Sequence, residues 1–454
     1  MDARDSTRPV SWEVRHCAGW GRTTTATVPM FEPTTVTALR KAVSDRAVTS
    51  VLAFGGGRSY GDNAVNSNGA AIATRSLNRV VSFDEQSGEL VCEAGITYRQ
   101  LVEKYLPKGF VVPVSPGTSF ATIGGAIAND VHGKNHDHAG SLGLHVNWLD
   151  LICADGSILR ASMGQNQPQF LATIGGLGLT GIIAQVSINL DRIGTDSVVV
   201  QEHRITDLDD FMEQLATARA HARYSVGWID LLKKGSGLGR GILETADLSS
   251  GIVGYRPRRR LRVPITLPGG VLNSQTVRIF NSLYYRRIPP AGRERVISYD
   301  QFTYPLDAIQ DWNRIYGSRG FFQFQCVLPE EESSRGLQRL LDIITRAKAA
   351  SFLAVLKTLG SPGIGLLSFP IRGFTLALDI PRKSGSLEIM QDLEKATLDH
   401  GGRVYLAKDA VLSSSGFRKM YPKIQQFAAM LEQLDPERRF QSDMAVRLGL
   451  RTGR

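Results

Sequence analysis

Three consecutive glycines open the run Gly55-Gly56-Gly57-Arg58-Ser59-Tyr60-Gly61-Asp62-Asn63. Backbone without side chains can bring several N–H groups together on an anion. A second run of the same kind begins at Pro116-Gly117-Thr118 and continues through Thr122-Ile123-Gly124-Gly125 to Asn129-Asp130-Val131-His132-Gly133-Lys134-Asn135. Two such loops imply a diphosphate ligand. The chain also holds the spacing G-x-G-x-x-G, from Gly176 to Gly181. That fingerprint binds a nicotinamide dinucleotide when it follows a strand and opens a helix. Here residues 168–174 read as a short helix before it and residues 182–190 as a strand after it, and the inverted order argues against that reading.

The elements that must position these loops are legible from periodicity. Residues 34–43 read as a threonine-capped helix with Val36, Leu39 and Val43 at helical spacing, and residues 51–54 as a buried strand feeding the first glycine loop. Residues 90–95 and 97–106 give a further strand and helix, and Asp155-Gly156 marks a hairpin. This first part reads as α+β. Beyond Leu190 the strands lengthen. In residues 321–328, alternation puts Phe322, Phe324, Cys326 and Leu328 on one face and Gln323 and Gln325 on the other. Residues 374–380 group Thr375, Ala377 and Asp379, and residues 353–357 carry Lys357 on a strand. A lone polar face of this kind ordinarily meets solvent; three together predict a polar cavity lined by a sheet. Residues 393–400 read as a helix closed by Gly401-Gly402, followed by a strand over 403–409. Strict alternation would part Tyr405 from Lys408, so the strand must twist or stop if both serve one site. A last helix, with Pro422 in its first turn, runs toward Asp435-Pro436.

With 454 residues and 42% hydrophobic composition, the chain exceeds one compact core and reads as a multi-lobed globular protein. Neither a secretory signal in residues 1–8 nor an apolar run long enough to span a bilayer is expected. The four cysteines, Cys17, Cys92, Cys153 and Cys326, are scattered and read as buried thiols, with no zinc site or disulfide framework indicated. Net charge is +10, concentrated between Arg256 and Arg295. A charge block of this kind reads first as a solvated, partly mobile loop. It also suits anionic lipid headgroups or a lipid-linked phosphate. Nucleic acid ranks last, because no stacking or recognition-helix motif accompanies the charge.

Taken in order, Gly19-Trp20-Gly21-Arg22, the loop ending at Asn63, Gly124-Gly125-Ala126-Ile127 with His132-Gly133-Lys134-Asn135-His136, residues 178–183, Tyr405-Leu406-Ala407-Lys408-Asp409 and residues 440–445 resemble the vanillyl-alcohol-oxidase, or PCMH-type, FAD-binding family. The resemblance runs nearly end to end. It implies a two-lobed α+β fold: an FAD-binding domain over 1–195, an inserted substrate domain over 196–402 built on an antiparallel sheet flanked by helices and carrying the basic loop near 235–300, and a segment over 403–454 returning to the FAD domain.

Carried over residue by residue, the resemblance implies FAD contacts from Ala53, Phe54, Gly55, Gly56, Gly57, Arg58, Ser59, Tyr60, Gly61, Asp62 and Asn63. Gly117, Thr118, Thr122, Ile123, Gly124 and Gly125 join them, with Asn129, Asp130, Val131, His132, Ile183 and Tyr405 completing the pocket. Where many relatives tether FAD through a histidine in the first glycine loop, this loop has Arg58, Ser59 and Tyr60, so non-covalent FAD is expected. Lys408 is the first candidate for the group beside the reacting hydroxyl, as a base or as a retained charge, with His132 second and Tyr60 a third catalytic candidate. Lys134, Trp228, Gln323, Gln325, Lys357, Thr375, Ala377 and Asp379 are the substrate-pocket candidates. Thr303, Thr375 and Ala377 stand where well-known members carry tyrosine, asparagine and cysteine.

The implied reaction is oxidation of the ribose 2-hydroxyl of a polyprenylphosphoryl ribose. A separate NAD(P)H-dependent keto-reductase would act on the product, and the protein would sit peripherally at a membrane through its basic loop, on its cytoplasmic or periplasmic face. The alternatives are an oxidase of a soluble sugar, alditol or nucleoside, and a non-catalytic protein that holds a lipid phosphate.

Overall fold

The computed structural model describes residues 10–251, 254–268, 270, 272–349 and 351–451; the polar stretch over residues 1–8 lies outside them. Three principal sheets organise the chain. A four-stranded sheet runs in the order Glu13–Ala18, Thr25–Phe31, Ala70–Ala73, Val51–Phe54. A five-stranded sheet follows, ordered Val80–Phe83, Glu89–Glu93, Ile182–Asn189, Val146–Ile152, Ile158–Ser162. The third has eight strands, ordered Arg293–Ser298, Ser197–Ile205, Gly241–Leu248, Tyr224–Ile229, Ala354–Leu359, Gly373–Pro381, Phe321–Pro329, Arg403–Val404, and every pairing in it is antiparallel.

One face of the large sheet is covered by the helices Leu208–His221, Ser333–Arg346 and Ser386–Asp399. In Ser333–Arg346 the buried Leu337, Leu340, Leu341 and Ile344 recur at the spacing of one helical stripe. Phe322, Phe324, Cys326 and Leu328 pack against that stripe in the largest core cluster. Burying each such large side chain contributes about 1.5–3 kcal/mol. The opposite face carries Gln323, Gln325 and Lys357 and turns toward the glycine loops. The polar faces therefore line a cleft; they do not meet bulk solvent.

The last residues return to the first sheet. Val51 bridges Phe440, and Arg439, 1% exposed, donates to the carbonyls of Val43 (2.6 Å), Ala42 (3.2 Å) and Asp45 (2.5 Å). Those carbonyls lie at the C-terminal end of the helix Val36–Ser44, where four acceptors lack intrahelical partners and a cation is favoured.

Several expectations are corrected. The region from Arg256 to Arg295 is not a plain solvated loop: it contains the helix Ser274–Arg286 and leads into the edge strand Arg293–Ser298. Many of its arginines are neutralised by acids remote in sequence. Arg258 meets Asp300, Arg260 meets Glu103 and Arg262 meets Asp311. Arg287, Arg293 and Arg295 all converge on the fully buried Glu202. The helix read over 393–400 begins at Ser386. The helix Ile424–Leu434 is not the last, since Asp443–Leu448 follows it. Cys153 is partly exposed, whereas the other three cysteines are buried.

Candidate active site and cofactor cleft

A cleft of about 910 Å3 runs between the glycine loops and the polar face of the large sheet. At one end the two glycine loops pack on each other. A Cβ at Gly55 would lie 2.5 Å from Thr122 Oγ1, and one at Gly56 would lie 2.3 Å from the Phe120 carbonyl. Gly57 has φ +60°, a conformation that favours glycine. Among the described residues, the N–H groups of Gly56, Gly57, Arg58, Gly117 and Thr118 have no protein acceptor, although all five residues line the cleft.

Gly117 is exposed and the other four residues are partly buried, so these amides are free to meet an anion in the cleft. The amides of Ile123, Gly124 and Gly125 are different. They donate to Ile96, Ala94 and the Thr122 hydroxyl, so the second cradle sits at Gly117-Thr118 and not at the helix start. The Arg58 guanidinium lies 4.1 Å from the Trp20 ring centroid and 5.0 Å from that of Phe120, and its Nε has no partner. Five free amides beside a partly buried cation suit a dinucleotide diphosphate.

Most of the candidate cofactor residues line this cleft: Ala53, Ser59, Tyr60, Asn63, Thr122, Asn129, Val131, His132, Ile183 and Tyr405 join those already named. Five do not. Phe54 packs with the core of the first sheet, and Ile123 is fully buried in the second core. Gly61 is closed off by the Asp409 carbonyl, 1.7 Å from where its Cβ would be. Asp62 turns to Arg447 (2.8 and 2.9 Å). Asp130 turns to Ser141, Ser368 and the Gly143 amide. These five hold the wall in place from behind.

At the other end stand Lys408, Tyr60, His132, Gln323, Gln325, Lys357 and Ala377. The strand Arg403–Val404 stops before Tyr405, and a single 3-10 turn, Leu406–Lys408, swings Lys408 to the side where Tyr405 already faces the cleft. The Tyr60 amide donates to the Ala407 carbonyl (2.9 Å), tying the glycine loop to that turn. The Lys408 ammonium lies 5.7 Å from the Tyr60 ring centroid.

Thr375 and Asp379, expected in the substrate wall, lie one layer behind it. Gln323 Nε2 (2.6 Å) and the Tyr316 hydroxyl (2.8 Å) both donate to Asp379. Gln325 Nε2 donates to Thr375 Oγ1 (3.0 Å), whose hydroxyl is committed to the Cys326 carbonyl (2.8 Å). That commitment fixes the amide's orientation, so its other hydrogen points at His132 Nε2, 2.9 Å away. The ring proton of His132 is then on Nδ1, which has no protein partner. Trp228 lines the cleft with its indole N–H on the Phe352 carbonyl (3.1 Å). Lys134 lines it with Nζ on the Phe302 carbonyl (2.6 Å).

Burial dominates the titration of these groups. It lowers Lys408 to about 8, with Asp379 working against the fall. It lowers Lys357 to about 7, assisted by Lys408 and Lys134, and Lys134 to about 8. His132 is pushed well below its ordinary value by burial and then by Lys357, His136 and Lys408, so it is neutral near pH 7. Burial raises Asp379 to about 6 and holds Tyr60 well above the ordinary phenol value. Three amines lowered toward neutrality thus stand beside the neutral His132 and Tyr60.

Residues 29–162 match the FAD binding domain family, and residues 376–448 match the D-arabinono-1,4-lactone oxidase family. Over 98% of this chain and 100% of the relative, the sequence is 35% identical to decaprenylphosphoryl-β-D-ribose oxidase of Mycolicibacterium smegmatis. The chain belongs to the decaprenylphosphoryl-β-D-ribose oxidase family. It is an FAD-dependent oxidoreductase. More distant similarity reaches L-gulono-1,4-lactone dehydrogenase of Mycobacterium tuberculosis, 23% identical over 88% of this chain and 90% of that one. Bovine L-gulonolactone oxidase is 25% identical over 92% and 94%.

Sequence reasoning missed four contributors: Trp20 and Phe120 flanking Arg58, Tyr316 behind Asp379, and Arg447 behind Asp62. Gly19-Trp20-Gly21 carried a signal for the first. The other three act through contacts far along the chain that no local spacing announces.

Proposed function

We propose that the protein oxidises the ribose 2-hydroxyl of a polyprenylphosphoryl-β-D-ribose to the 2-keto sugar. This is the first half of an epimerisation that a separate NAD(P)H-dependent keto-reductase completes, giving an arabinose donor for cell-wall polysaccharide. The observation that carries the reading is a single cleft joining the free amides of Gly56 to Arg58 to the wall of Lys408, Gln323 and Gln325. Family membership supports the substrate class. Hydride acceptance from the sugar C2 is the chemistry that FAD supplies when bound. Gly56, Gly57, Arg58, Gly117 and Thr118 would hold its diphosphate.

Within that frame Lys408, near half-neutral at about pH 8, takes the proton from the C2 hydroxyl as general base. Tyr60, kept neutral by burial, donates or accepts a hydrogen bond beside it. His132 stands neutral at the cleft wall with Nε2 held by Gln325, and Gln323 and Gln325 orient the sugar. Residues 1–195 with 403–454 form the cofactor-binding unit and residues 196–402 the substrate unit. No helix among the described residues is long and apolar enough to cross a membrane. The helix Ser274–Arg286 exposes Ile279, Phe280 and Leu283 beside the exposed Arg278 and Arg286, a face suited to peripheral contact with an anionic bilayer.

A second reading, oxidation of a soluble sugar or aldonolactone, draws on the match of residues 376–448. Anaerobic titration of the yellow holoenzyme separates the two. Bleaching by farnesylphosphoryl-β-D-ribose and not by free ribose or L-gulono-1,4-lactone supports the first, and the reverse pattern overturns it. Acid precipitation should release the colour, as non-covalent FAD requires; colour retained in the pellet would contradict that.

A further inference from the structure

We propose that Lys134 and Lys357 form a subsite for a phosphate monoanion, the phosphodiester that joins the sugar to its lipid. The inference rests on the substrate reading above. Both ammonium groups line the cleft, and their hydrogen bonds go to backbone carbonyls, Lys134 to Phe302 (2.6 Å) and Lys357 to Gly133 (3.2 Å). Among the described residues neither has a carboxylate within ion-pair distance, which is unusual for cations drawn into a wall.

The acids nearest to them are already engaged. Glu244, which faces Lys134, pairs with Arg287 (3.3 Å). Asp137, which faces Lys357, pairs with Arg219 (3.0 Å). Behind them Arg287, Arg293 and Arg295 share the single carboxylate of Glu202 at 3.1, 2.6 and 2.9 Å, and Arg287 Nε has no partner. This part of the cleft holds more cations than anions. The imbalance is relieved by a bound anion.

Position argues for the phosphodiester in particular. Lys357 feels both Lys408 and Lys134, and all three line the same cleft. In the substrate the phosphate hangs on C1, one carbon from the reacting C2. With the C2 hydroxyl at Lys408, the phosphate falls beside Lys357 and Lys134. Beyond the lysines the wall becomes aromatic. Trp228 pairs in register with Val355, on the same strand face as Lys357. Its ring lies 4.9 Å from Tyr284, which stacks at 5.5 Å on Phe280, 42% exposed. An apolar path thus leads from beside Lys357 to the surface, as a prenyl chain requires.

The test uses the holoenzyme and its Lys134→Gln and Lys357→Gln variants, with FAD content checked by absorbance. Diethyl phosphate, a monoanionic diester lacking sugar and prenyl chain, should perturb the flavin spectrum of the wild type. Each variant should weaken that binding about tenfold or more, the usual size for losing one charged hydrogen bond. The KM for farnesylphosphoryl-β-D-ribose should rise in parallel in Lys134→Gln, with less change in kcat, and Lys134→Arg should restore most of it. Inorganic phosphate binding as tightly as farnesyl phosphate marks the site as one for free phosphate, and preference for farnesyl phosphate marks a lipid headgroup; either supports the subsite. Equal diester affinity in wild type and both variants overturns it. If lysine-dependent diester binding persists but no ribosyl phosphate bleaches the flavin, the substrate reading falls and the subsite stands. If farnesylphosphoryl ribose reduces all three proteins with one KM, the subsite falls and the substrate reading stands.

Discussion

Replacing Asp379 by asparagine should make the protein more stable and less able to hold charge on Lys408. The carboxylate is fully buried, and burial raises it from its ordinary 3.8 to about 6. That rise corresponds to about 3 kcal/mol of unfavourable ionisation in the folded state. For an acid raised on folding, the favourable contribution is fully present below the unfolded value of 3.8, falls as pH climbs from there, and is gone once pH passes about 6. Wild type and variant should therefore have the same thermal midpoint near pH 3.5, where the acid is neutral folded or unfolded. At pH 8 the variant should be the more stable, with about 3 kcal/mol as the upper limit.

Asparagine fits the site. Its Oδ1 still accepts from Gln323, and the Tyr316 hydroxyl, now donating to the acid, turns to accept from the new amide. The catalytic consequence has the opposite sign. Asp379 opposes the fall in the Lys408 pKa, so its removal lowers that pKa below about 8 and moves the rising limb of the flavin-reduction rate to lower pH. Stopped-flow reduction between pH 5.5 and 9.5 reads the limb, and calorimetry reads the midpoints. A limb that stays at wild-type pH, with the variant no more stable at pH 8, would refute the electrostatic link between the two residues.

Three further outcomes are expected. Lys408→Ala should retain FAD and lose at least about a hundredfold in the rate of flavin reduction, the scale of general base catalysis; an undiminished rate removes Lys408 from the mechanism. Arg447→Leu should destabilise the fold by about 3–5 kcal/mol, because it strands the buried Asp62 and Asp409, each now paired with Arg447, and should loosen FAD through the loop that Asp62 anchors; Arg447→Lys should cost less, and unchanged melting in the leucine variant would show that the pin carries no load. Thiol reagents shaped for the cleft should leave the peptide holding Gly373–Pro381 unmodified, since Ala377 has no sulfur and Cys326 is fully buried with its thiol pushed up to about 12; Ala377→Cys should create the adduct, and mass spectrometry distinguishes the two.

Features set by neighbours in sequence were legible before the structure. Gly55-Gly56-Gly57 announced a side-chain-free cradle, and alternation in Phe321–Pro329 sorted Gln323 and Gln325 from Phe322 and Phe324, because both rest on local stereochemistry. Depth was not legible. Thr375, Ala377 and Asp379 do share a face, but Gln325 and Gln323 reach across and bond the outer two, leaving only Ala377 at the cleft. The arginine block misled for a related reason: its partners Glu103, Glu202 and Asp300 lie on other elements, and composition has no access to pairing across the fold. The helix start at Thr122 looked like an anion site by its glycines, yet its amides were already spent on Ala94 and Ile96.

The two halves of the cleft answer to different constraints. In the cofactor half, the free amides of Gly56, Gly57 and Arg58 tolerate little variation, because a Cβ at Gly56 would strike the Phe120 carbonyl at 2.3 Å. The substrate half holds Thr303 and Ala377. Ala377 faces the cleft opposite Gln325 in the strand register, and Thr303 faces it next to Phe302, whose carbonyl holds Lys134. Alanine and threonine are small, uncharged side chains and leave more room in the cleft than cysteine and tyrosine would. Variation there alters which sugar fits and leaves the proton and hydride chemistry alone, so selectivity should respond to Thr303→Tyr and Ala377→Cys through KM before it responds through kcat.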